Sequence, residues 1–128
     1  MNRRLTFFFF AISVMFVLTH LMAMQASLYW YFWWADIVMH FWGGLLIGLG
    51  VHVLAGLPNL SIDATIRWVL GITLVTVVAW EVFELYYGLY DVDGYWIDTT
   101  IDSVLGFAGA IISHLFLTRR NNTLWQQH

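Results

Sequence analysis

Four long apolar stretches, at residues 5–26, 37–56, 66–87 and 97–117, dominate this chain of 128 residues. Each reaches the roughly 20 residues that an α-helix needs to cross a hydrocarbon core. Lipid offers no partner for backbone N–H and C=O groups, so a spanning segment must be a helix or part of a closed barrel. The alternating pattern of a barrel strand is missing, and the stretches are too long for strands. Only 10% of the residues are charged while 61% are apolar, too few charges to cover a water-soluble fold of this size. The expectation is an all-α integral membrane four-helix bundle. It forms a single four-span domain over residues 1–128 with short loops. No repeat or linker segment stands out.

The basic residues orient it. Lysine is absent, and the five arginines are Arg3, Arg4, Arg67, Arg119 and Arg120. They precede span one, precede span three and follow span four, all on one side of a four-span chain. The positive-inside rule then puts both termini, and the loop containing Pro58, in the cytoplasm. Arg3–Arg4, an apolar run and Ala26 also make a pattern like a secretory signal. Met24 is bulky for the −3 position and the apolar run is long, so an uncleaved first span is expected.

Aromatic residues mark the other side. Tyr29, Trp30, Tyr31, Phe32, Trp33 and Trp34 lie between spans one and two, and Tyr86, Tyr87, Tyr90, Tyr95 and Trp96 flank the second outer loop. Amphipathic rings favour the headgroup level, so an interfacial belt is expected. A platform for a lipid headgroup or an isoprenoid chain is the alternative.

Of the eight carboxylates, seven fall on this outer side: Asp36, Glu81, Glu84, Asp91, Asp93, Asp98 and Asp102. Their spacing pairs them. Asp36-x3-His40 opens span two, Glu81-x2-Glu84 closes span three, and Asp98-x3-Asp102 opens span four. Residues three or four apart share a helix face. Asp36, Glu84 and Asp98 would then form a shallow ring. His40, Glu81 and Asp102 would lie about one turn, some 5–6 Å, deeper. His20 of span one falls near the deeper level and is a further candidate.

A carboxylate at mid-span costs roughly 2.5–3.5 kcal/mol, and neighbouring acids repel one another. No Lys or Arg on this side offsets them, so protons, a bound cation or both must. Carboxylates with one or two histidines suit Mg²⁺, Mn²⁺, Ca²⁺, Fe or Zn²⁺. The expected metal ligands are Asp36, His40, Glu81, Glu84, Asp98 and Asp102, with Glu84 and Glu81 as candidate catalytic bases. Mutually hydrogen-bonded acids without a metal, or a proton or ion pathway, are the competing readings. Gly44, Gly48, Gly106 and Gly109 lie below the acids on the same faces and would let spans two and four approach closely. His52 and His114 lie far from the acids in depth and read as core or interfacial residues, and His128 as uninformative. Without cysteine there is no disulfide, thiolate or Cys-based metal site. No phosphate loop, serine triad or nucleic-acid surface is present.

Asp36-x3-His40-Phe41, then Trp80-Glu81-x2-Glu84, then Asp98-x3-Asp102-x6-Gly109, resembles the VanZ-like superfamily of small polytopic bacterial membrane proteins. The likeness is nearest to its YjdF-type inner-membrane branch and runs from about Ala35 to Ile112. It implies a helical membrane domain of the bacterial inner membrane and a link to envelope or lipid chemistry. VanZ proper tends to carry Lys where Ile37 stands, Gln at Glu84 and Asn at Gly106, with an Arg before the last acid pair. Those departures make this site more acidic and shift the expectation from glycopeptide resistance towards a cation.

The expected function is therefore a metal-dependent hydrolase or transferase acting on membrane lipids or a lipid-linked envelope substrate. The cofactor would be a divalent metal ion, and the oligomeric state is left open. A non-enzymatic lipid- or cation-binding or assembly protein is the alternative, and proton- or ion-coupled transport is the third. A di-iron oxidative site ranks lower because Glu-x2-His pairs are missing.

Overall fold

A computed structural model describes the backbone of residues 3–88 and 94–125 and the side chains of 3–88 and 94–119. Asp91, Asp93, Tyr90 and His128 lie outside the described residues, as does the side chain of Arg120. The described chain is all-α, in the order α1 (Arg3–Gln25), α2 (Leu28–Tyr31), α3 (Trp33–Leu54), α4 (Ile66–Tyr87) and α5 (Tyr95–Trp125). The four long helices are each apolar and long enough to cross a membrane, and the protein is a multi-pass membrane protein.

Helix ends follow local chemistry. The aromatic block expected to separate spans one and two is itself largely helical. Ser27 enters the left-handed region at φ 55°, a single turn of helix follows, and extended Phe32 breaks it. α3 therefore begins at Trp33, which puts Asp36 in its first turn, where the helix dipole favours a carboxylate. α4 stops at Gly88, whose positive φ of 66° lets its N–H cap the Glu84 carbonyl. α5 runs past the expected end at residue 117 to Trp125, because no glycine or proline lies between residues 118 and 125 to end it.

The most extensive contact joins α3 and α5. A Cβ on Gly44 would collide with the Gly106 carbonyl, and one on Gly48 with the Ala110 carbonyl. Gly109 in turn faces the Phe41 carbonyl with no room for a side chain. This is the small-xxx-small packing by which helices associate in lipid, where dispersion and close backbone approach replace the hydrophobic effect. The small core beside it includes Val51, Val69 and Ala110, all nearly inaccessible.

The pairings across this seam share one register. His40 meets Asp102, Gly44 meets Gly106, Gly48 meets Ala110, and His52 meets His114. Each partner lies 62 residues further along, and the contacts step by four on both helices. A constant offset is what two parallel helices related by an axis along the membrane normal produce, as in parallel-repeat membrane folds. Aligning the halves at this offset superposes Asp36 on Asp98, Gly44 on Gly106 and His52 on His114. The helix packing thus sets two parallel spans in one register.

The outer helices depart from that symmetry. α1 packs on α3 as α4 packs on α5. α4 also reaches across to α3, but α1 makes no close backbone contact with α5 or α4. Crevices therefore open on both sides of α1.

Candidate metal centre

Above the Gly44–Gly106 contact, Asp36, His40 and Asp102 converge. His40 Nε2 lies 3.4 Å from Asp36 Oδ1 and 3.6 Å from Asp102 Oδ2. All three donor atoms fall within 4.8 Å of one another. Asp36 and His40 share a face because they are four residues apart on α3. Asp102 is carried in from α5 by the Gly44–Gly106 contact one turn below. Asp102 is buried at 4% exposure, and no Lys or Arg lines the space around it. Two ligands each about 2.1 Å from one ion at a tetrahedral angle stand roughly 3.4 Å apart. The two measured separations match that spacing, and the two-carboxylate, one-imidazole set suits a divalent cation. The cluster can coordinate a divalent metal.

It faces a cavity of about 310 Å³ whose lining includes Phe16 and His20 of α1, Tyr29 of α2, Met39 and Ile47 of α3, and Val77, Trp80 and Glu81 of α4. Apolar side chains make up most of this wall, so charge interactions at the cluster are stronger than in bulk water.

The other expected residues take distinct positions. Glu81 lines the same cavity. Its Oε2 accepts a hydrogen bond from Thr99 Oγ at 2.7 Å, while its buried Oε1 has no hydrogen-bond partner among the described residues. Glu84 accepts a hydrogen bond from the Trp80 indole N–H at 2.8 Å and does not line the cavity. Asp98, in the first turn of α5, is exposed and also lies outside the lining. His20 does line it, but its Nδ1 is 2.7 Å from the Tyr29 hydroxyl, which orients the ring at the rim. Trp80 stands edge to face between the rings of His20 and His40, with centroids 5.9 and 6.3 Å away. Three of the six expected ligands are thus brought together, a fourth shares their cavity, and Glu84 and Asp98 do not line it.

Tyr29, Thr99 and Trp80 complete the site as orienting groups. Trp80 and Glu84 are four residues apart, a spacing legible in the sequence. No sequence signal marks Tyr29 or Thr99, because their partners come from other helices. Tyr29 sits on the turn between the first two spans, where burial, aided by the negative charge of Asp36, pushes its phenol up to about 12. Its hydroxyl stays protonated and available to hydrogen-bond His20 at any physiological pH.

Compared with known proteins, the chain matches no family model, no curated protein and no solved structure.

Proposed function

We propose that the acidic end holds one divalent cation on Asp36, His40 and Asp102. This centre would serve hydrolysis or group transfer on a membrane lipid or lipid-linked substrate. The observation that carries the reading is the convergence of those three donors on an apolar cavity inside the bundle. A three-residue ligand set leaves coordination positions open, as catalytic sites require, and a cation there would activate water or polarise an ester or phosphoryl oxygen. The chain's own groups supply the rest. Glu81, with one oxygen pinned by Thr99 and the other unpartnered, is the candidate proton acceptor beside the ligands. His20, fixed by Tyr29, and Trp80 bound the space above. The apolar wall suits an acyl or isoprenyl chain better than a water-soluble substrate.

The arginine distribution supports an orientation with this end outside and both termini in the cytoplasm of a bacterial inner membrane. The order of the acid and histidine motifs supports kinship with VanZ-like proteins of the YjdF type. Elemental analysis of detergent-purified protein, loaded with Mg²⁺, Mn²⁺ or Zn²⁺ and then desalted, tests the centre. Retained metal in the parent, lost in Asp102→Asn and in His40→Ala, is expected. A metal-free parent would defeat the metal reading. Retained metal without turnover of lipid esters or phosphoesters would leave a cation-binding protein that is not an enzyme.

A further inference from the structure

The crevice on the other side of α1 has a different chemistry. At the end carrying the arginines, α1 stands away from α5 and leaves a cavity of about 1260 Å³. That exceeds the roughly 300–1,000 Å³ of ordinary small-ligand pockets. It is the one place where the two-hairpin symmetry fails, since α4 packs on α3 but α1 does not pack on α5. Its walls run from Arg4 to Met15 on α1 and from Trp42 to Val53 on α3. On each wall twelve residues of helix, eleven rises of about 1.5 Å, give a length of about 16 Å. One leaflet's share of a 30 Å hydrocarbon core is about 15 Å, so the crevice is as deep as one leaflet.

Its polar groups gather at one end. Arg4 and His52 line the end near the helix termini, and the deep part is walled by residues such as Ile12, Met15, Trp42, Leu45 and Leu49. No Asp or Glu lines it, whereas the cavity at the opposite end carries three carboxylates and no Lys or Arg. His52 is also tied across the seam, its Nε2 lying 3.0 Å from Nδ1 of His114, which is buried at 7% exposure. One ring donates and the other accepts, so with this bond intact the pair carries at most one positive charge.

We propose that this crevice binds an anionic membrane lipid. Its headgroup lies at Arg4 and His52, and an acyl chain lies along the α1, α3 and α5 walls towards Trp42. The site is independent of the metal centre and does not rest on it. Apolar length alone would admit any lipid. The charge at one end selects the anionic kind, and the open α1–α5 side admits it from the bilayer.

The test is photo-crosslinking in nanodiscs of equal phosphatidylglycerol and phosphatidylcholine. Each lipid in turn carries a diazirine on one acyl chain, and labelled peptides are mapped by mass spectrometry. The phosphatidylglycerol probe is expected to label the peptides around Met15, Leu49 and Phe116 about fivefold more than the phosphatidylcholine probe. That is the factor one basic residue contributes near an anionic surface. Arg4→Gln, at an exposed helix end where it leaves the fold alone, removes most of the preference. Ser113→Leu, which fills the wall of the crevice, lowers labelling there by both probes. Equal labelling by the two probes, a preference unchanged in Arg4→Gln, or no labelling of these peptides by either probe overturns the proposal.

Discussion

The two ends of the α3–α5 seam are built on the same register and do opposite things. Residues 62 apart meet at both ends, His40 with Asp102 and His52 with His114, on either side of the glycine contacts. At the acidic end the pair is mixed, and Asp36 one turn above adds a third donor, so the cluster can chelate a cation. At the basic end the pair is alike, and two imidazoles can share a proton but bring no third ligand with them. The flanking helix differs as well. α4 walls the acidic cavity with Val77, Trp80 and Glu81, whereas no α4 residue lines the basic crevice. Small residues fix how closely two helices approach. What the resulting clefts bind is set by the few side chains at their ends.

The most damaging way to break the comparison is to open the seam itself. Gly44→Ala places a methyl group against the Gly106 backbone, which cannot yield as a side chain would. Overpacking of this kind costs about 1–3 kcal/mol or more. The melting temperature of the solubilised protein should fall, and both the metal affinity and the anionic-lipid preference should fall with it. Gly71→Ala is the matched control. An added Cβ there meets nothing within 4 Å, and the exchange should stabilise α4 by up to about 1 kcal/mol.

The next substitutions separate the two ends. His40→Ala should lower divalent-metal affinity by well over 100-fold in titration calorimetry, since even orienting groups are worth about 10–100-fold. Its lipid crosslinking should stay at the parental level. A parallel loss of both would mean that the ends are coupled through the seam. Thr99→Val keeps the shape of the side chain and removes only the donor to Glu81 Oε2. A loss of metal affinity of about tenfold would make Glu81 part of the centre, and no change would leave it outside.

The smallest effect is a titration. Absorbance at 295 nm, compared between the parent and Tyr29→Phe, should show one phenol ionising near pH 12, above its ordinary value of about 10. Because the folded value is raised, the stability linked to it is complete below about pH 10 and is lost as pH climbs from there towards 12. Tyr29→Phe should flatten that part of the pH–stability curve. A Tyr29 that ionised with the exposed tyrosines would mean that the rim over His20 is open to water.

Much of this protein is legible in its sequence because the bilayer is a severe solvent. Apolar length alone gives four helices, with α4 expected and found at residues 66–87. Spacing of three or four residues on a single helix finds Asp36 with His40, since that relation is local. Depth along separate helices is legible too, and it puts Asp102 at the level of His40. The rotation of one helix about its axis relative to another is not. Nor is the point along a face where burial begins. Asp98 and Asp102 lie one turn apart on one face of α5, yet Asp98, in the first turn, is exposed, while Asp102, one turn from the Gly44–Gly106 contact, is buried. The glycine contacts bring His52 to His114, two residues that read singly as core or interfacial positions. The sequence by itself determined the spans, the segregation of charge and the local acid–histidine pairs, all consequences of burial cost and helix period. Tertiary structure alone decided which acids converge, how α3 and α5 are registered, and that α1 leaves a crevice beside α5. Those outcomes depend on backbone approach between helices, which no single helix encodes.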